Sequence, residues 1–114
     1  MPTPTQITNV QSALGEINQA IPPVQTAADL ANDPTAKLQL TQLGILLVNI
    51  QSTLTQALIA SDDELFATDA AKLNTQAAKL KAQANSIQAT INAIGTAAQV
   101  IGYITQALAF IAAI

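Results

Sequence analysis

The stretch Ala82–Ile114, AQANSIQATINAIGTAAQVIGYITQALAFIAAI, decides the fold. Its 33 residues include no Asp, Glu, Lys, Arg or His. Ile87, Ile91, Ile94, Ala98, Ile101, Ile104, Leu108 and Ile111 recur at intervals of three and four. That spacing lines one side of a helix with apolar side chains. Gln, Asn, Thr and Ala occupy the other sides, where salt-bridging charges would be usual. Such a helix requires a second apolar surface, from its own chain, another chain or a bilayer.

Upstream the same stripe runs back through Ala84, Leu80, Ala77, Leu73, Ala70 and Phe66, with Lys72, Lys79 and Lys81 off it as solvated positions. Ser61-Asp62-Asp63-Glu64 opens this helix. Ser61 and Glu64 form the S-x-x-E capping box, and the acids complement the positive end of the helix dipole. Two readings of Gly95-Thr96 follow. Gly95 ends the helix and Thr96 with Gln99 opens a fourth, or one helix runs straight through, since Ile91, Ile94, Ala98 and Ile101 hold a common register. Unbroken, Asp62 to Ile114 would reach roughly 80 Å at 1.5 Å per residue, against roughly 40 Å for each earlier helix. The overhanging half would be the most apolar part of the chain. A break at Gly95 is therefore expected, folding the tail back to close a four-helix bundle.

Two earlier helices carry matching seams. Thr3 caps the first, Pro4 suits its first turn, and Gln6 completes a capping box. Ile7, Val10, Leu14, Ile17, Ile21, Val24, Ala28 and Ala31 follow in strict 3-4 spacing. Pro22-Pro23 keeps that phase but removes backbone donors, which predicts a kink or two helices stacked end to end near Ala20–Pro23. Asp33 caps the second helix and Pro34 occupies its first turn. Its stripe is Leu40, Leu43, Leu47, Ile50, Leu54 and Ala57, thickened by Ile45, Leu46 and Val48. Leu38–Ser61 is a second charge-free run, but its frequent Gln and Asn residues mark a buried bundle helix and not a membrane span. Val10–Leu14, Ile50–Leu54 and Ile87–Ile91 share a faint pattern in one seam phase, as does Thr55–Leu58 with Thr105–Leu108; duplication and biased composition explain it equally well. The expected fold is a single all-α domain: an antiparallel helical bundle of three to four helices over about 4–31 (kinked at Pro22-Pro23), 34–60, 62–94 and 96–113, the last two being one long helix in the straight-through reading.

Composition narrows the function. The chain has 114 residues, 50% of them hydrophobic, with a mean hydropathy of +0.35 and a net charge of -3. Only 10% are charged, against the usual quarter, while there are thirteen Gln, thirteen Thr and seven Asn. A neutral amide and hydroxyl surface repels its neighbours weakly and favours association. All four cations are lysines, so neither a bidentate phosphate grip nor a basic patch for nucleic acid exists. Without His, Cys, Arg or Trp, the common general base, thiol nucleophile and cationic oxyanion stabiliser are missing. Neither catalytic nor cofactor-binding residues are expected, and no small-molecule substrate is evident. Asp62, Asp63, Glu64 and Asp69 cluster but lack the glycine turn and alternating spacing of a calcium loop, and capping accounts for three of them, so no metal site is expected. Asp29 and Asp33 read as a helix end and a cap, Glu16 as a flank beside Ile17, and Tyr103 as a packing residue with its hydroxyl outward. Absence of Cys leaves the redox compartment open. No cleavable signal peptide is visible in the first residues, which leaves a cytoplasmic location or export by a signal-independent route.

Two functional expectations from different classes follow. The first is a non-enzymatic structural or interaction protein, Ala/Gln/Thr-rich, whose coiled-coil-like seams form a homo-oligomer or receive a partner helix. The alternative is a membrane-active or pore-forming protein that inserts residues 94–114 into a bilayer. That segment is long enough to reach across, and Ala98-x-x-x-Gly102 and Ala109-x-x-x-Ala113 permit close helix approach. Gln99, Gln106 and the missing interfacial anchors oppose insertion. Under either expectation the contact residues lie in the tail: Ile94, Ala98, Ile101, Gly102, Ile104, Leu108, Phe110, Ile111 and Ile114.

Overall fold

The computed structural model describes residues 2–60, 62–92 and 97–114, and the side chains of all of these except 90–92, 97 and 98. They form four helices and no strand: α1 (Pro4–Leu30), α2 (Pro34–Leu58), α3 (Asp63–Asn92) and α4 (Ala97–Ala112). α1 packs on α2 and α4, and α3 packs on α2 and α4, which closes a four-membered ring of helices. The bundle measures 47 × 19 × 19 Å. The turn expected at Gly95-Thr96 lies outside the described residues. On either side of it α3 and α4 pack together, with Lys81, Asn85 and Gln88 lining one groove with Ile101, Ile104 and Leu108. An unbroken helix of about 80 Å could not fit within these dimensions.

Local chemistry starts each helix where its cap allows. At the head of α1, the Gln6 amide donates to Thr3 Oγ1 at 3.1 Å and the Thr3 amide donates to Gln6 Oε1 at 2.9 Å, the reciprocal capping box. The Ala36 amide donates to Asp33 Oδ2 at 3.0 Å to open α2. At the start of α3, Asp62 Oδ1 accepts from the Leu65 amide at 2.8 Å, and its carboxylate adds a favourable charge at the dipole's positive end. The box expected from Ser61 and Glu64 rests on Ser61, which lies outside the described residues. α1 continues through Pro22 and Pro23 as one helix, and two stacked helices are not formed.

The core takes one stripe from each helix. Val10, Ile17, Ile21 and Val24 of α1 meet Leu40, Leu43, Leu47, Ile50 and Leu54 of α2, with Phe66, Leu73, Leu80 and Ile87 of α3 and Val100, Ile104, Ala107 and Ile111 of α4. Threonine is compatible with these helices because its hydroxyl is used locally. Seven Thr side chains donate to the carbonyl four residues back, including the buried Thr53 to Asn49 at 3.1 Å. Helix pairs are also joined by amides, as where Gln51 Nε2 of α2 donates to Asn18 Oδ1 of α1 at 2.6 Å.

Candidate interaction surface

The tail residues singled out by the sequence fall in different environments. Ile104 and Ile111 are core residues, 1% and 2% exposed. Ile101, Leu108, Phe110 and Ile114 are half-buried against that core, and Gly102 is half-buried beside them. Ile94 and the side chain of Ala98 lie outside the described residues. Ile101, Ile104 and Leu108 share a groove with Ala84, Asn85 and Gln88 of α3. The seam of α4 is thus covered within the chain. Its buried positions are Val100, Ile104, Ala107 and Ile111, and the expected stripe members Ile101 and Leu108 flank them. A helix with two neighbours buries an arc wider than one row, so both rows find cover.

The large apolar side chains left in solvent concentrate on α2. Ile45 is 58% exposed, Leu38 equally so, and Val48 is 41% exposed. Ile45 and Val48 therefore do not thicken the core as expected; of the three residues in that role, only Leu46 is buried. Seven positions follow one 3-4 progression along the outer side of this helix: Leu38, Thr41, Ile45, Val48, Ser52, Thr55 and, just past its last residue, Ile59. Every one of them is exposed. This is a second seam in heptad spacing, opposite the one that fills the core. It was missed in the sequence because the run Leu43–Val48 is apolar all round. Its signal was nonetheless available, in the unbroken alternation of threes and fours from Leu38 to Ile59.

Two of the three hydroxyl residues in the seam turn their donors inward to the helix. Thr41 Oγ1 donates to the Lys37 carbonyl at 2.8 Å and Thr55 Oγ1 to the Gln51 carbonyl at 2.9 Å. Both hydroxyl donors are satisfied within the helix, so covering them leaves no donor unpaired. Beside the seam, α1 and α2 bound a groove of about 320 Å³. Ala28, Leu40 and Gly44 form its buried floor, Ile45 and Val48 its exposed rim, and Asp29 is its single charged lining residue. A Cβ added at Gly44 would meet only Val24 Cγ1, at 3.7 Å, which is ordinary contact distance. Packing of α1 on α2 therefore does not require glycine there.

No chemistry-bearing constellation accompanies this face. Among the described residues, no three of His, Cys, Asp and Glu gather closely enough to hold a metal ion. Tyr103 is half-buried against the core, and Glu16 is half-buried on α1. What the fold and surface define is an antiparallel four-helix bundle with a neutral, heptad-spaced outer seam. No protein-family model, curated protein or solved structure matches the chain.

Proposed function

We propose that this protein is a non-enzymatic interaction bundle that works by receiving a protein surface on the outer seam of α2. One observation carries the reading: the exposed 3-4 progression from Leu38 to Ile59, beside a groove floored by Gly44. Isolated exposed hydrophobics need no explanation, but a continuous row in heptad register is the pattern that helices use to recognise one another. The neutral polar surface supports the same reading, because few charges oppose association. An enzyme would need polar groups converging in a cleft, whereas the groove beside α2 is lined by apolar side chains, amides, one hydroxyl and one carboxylate.

The bilayer alternative draws less support. No helix of the described residues is long and apolar enough to cross a membrane, and α4 places Ile104, Ala107 and Ile111 in the core. A photo-crosslinking side chain at position 45, in cell extract supplemented with liposomes, separates the readings. Discrete protein adducts are expected, well above those from the same group at Thr75 on the exposed side of α3. Predominantly lipid adducts would transfer the argument to the bilayer. Equal yields from the two positions would end the interaction reading.

A further inference from the structure

We infer that the occupant of the α2 seam is a second copy of this chain, mated α2 to α2 across a two-fold axis near Ile45; the inference rests on the interaction reading above.

The side that α2 belongs to measures up to 47 Å by 19 Å, which leaves room for the ~800 Å² per partner that stable protein pairs bury. A lone helix about 10 Å across laid along α2 would cover about half of that side.

The chemistry of the flanks selects an identical partner. In heptad pairing, residues beside the seam choose the partner, usually through opposite charges. Here one flank is Gln42, Asn49 and Gln56, all exposed amides, and the other is Lys37, Gly44, Gln51 and Leu58, charged at its first position alone. A carboxylate or an ammonium cannot pair with its own copy across a two-fold axis, whereas an amide donates and accepts and so complements itself. From Leu38 to Ser61 no charge interrupts this arrangement. Over that run an acidic or basic partner finds no charge to pair with, although Lys37 precedes it and Asp29 lines the groove beside it.

Gly44 supplies the third observation. Glycine inside a helix costs roughly 0.5–1 kcal/mol relative to alanine. The single chain has room for the extra methyl, so its own packing gives no reason for that cost. A neighbouring molecule does: the space over Gly44, Ala28 and Leu40 is where a side chain such as the second copy's own Ile45 would seat. Knob and hole then lie on one surface, as a two-fold contact requires.

Sedimentation equilibrium of the wild type, Ile45→Glu, Gly44→Ala and the control Thr75→Glu tests this, with circular dichroism confirming that each variant is folded. The wild type is expected to dimerise reversibly and Thr75→Glu to match it. Ile45→Glu should weaken the dimer at least about 100-fold, since two buried charges would face each other. Gly44→Ala should weaken it about tenfold while resisting urea better than the wild type, a combination that general damage to the fold would not produce. As the chain has no cysteine, Ile45→Cys adds a unique probe, expected to form an intermolecular disulfide on oxidation where Thr75→Cys does not. A dimer that ignores Ile45→Glu would overturn the choice of face. A wild type that stays monomeric at every soluble concentration would overturn the second copy as occupant. The latter result together with discrete adducts from position 45 to another protein would leave the interaction reading standing, whereas equal crosslinking from positions 45 and 75 would remove both.

Discussion

Gln6 joins the start of α1 to the residues after α4: its Oε1 accepts from the Thr3 amide at 2.9 Å while its Nε2 donates to the Ile114 main-chain oxygen at 3.5 Å. Asn9, one turn later, donates to the Ala113 carbonyl at 3.4 Å. The first two turns of α1 thus supply a cap of their own and donors to the two carbonyls that follow α4. Gln6→Ala should cost about 1 kcal/mol in urea unfolding, because it removes half of a capping box and one end-to-end bond. Thr3→Ala should cost a similar amount. The pair combined should cost less than the sum, since both break the same box.

Burial separates the apolar residues of α2 and α4 sharply. Ile104→Ala should destabilise by about 2–4 kcal/mol, having removed a fully buried side chain that the ring of helices cannot collapse upon. At low protein concentration Ile45→Ala should lie within about 0.5 kcal/mol of the wild type, because its side chain is mostly in solvent. Denaturant midpoints of the two variants check both values.

Gln76 and Gln83 lie seven residues apart on α3, and the Oε1 atom of each is buried without a hydrogen-bond partner. An amide oxygen in that position loses water and gains nothing in return. Replacement of each by methionine, of similar length and shape, should raise stability by about 1 kcal/mol. Chemical denaturation of the single and double variants measures this; a less stable double variant would show that these oxygens are satisfied in solution.

Pro22 and Pro23 sit inside an unbroken helix, where neither can donate to the carbonyl four residues back. Pro22→Ala restores the donor facing the Asn18 carbonyl and should stabilise by about 1–2 kcal/mol, less than the full penalty of an interior proline because proline also restricts the unfolded chain. The same denaturation experiment decides it.

Much of this architecture was legible in the residues because helix caps and 3-4 spacing are local. Thr3 with Gln6 and Asp33 with Pro34 open helices where expected, and the stripes Val10–Val24 and Leu40–Leu54 are the core. Two features were not legible. Asp62 as well as Ser61 is a good cap by type, and only the placed backbone shows the Leu65 amide donating to Asp62. Ile45 and Val48 read as core because periodicity alone cannot orient a helix that is apolar on several sides; which side faces inward depends on the neighbours. The tail posed the same difficulty in a sharper form. Its apolar row was plain, yet the same row serves a bundle, an oligomer or a bilayer equally well. The reversal that carries α4 back along α3 and onto α1 assigns that row to the interior, and leaves the outer side of α2 as the seam without a partner.

The most direct test of that assignment is native-state hydrogen exchange of the α4 amides. Those from Ile104 to Phe110 are predicted to open only with the whole bundle, with protection within about 0.5 kcal/mol of that for Val10–Ile17 in α1. Exchange of α4 several kcal/mol more easily than α1, through an opening that leaves the other three helices intact, would contradict it: the tail would then be a detachable arm and not the fourth wall of the bundle.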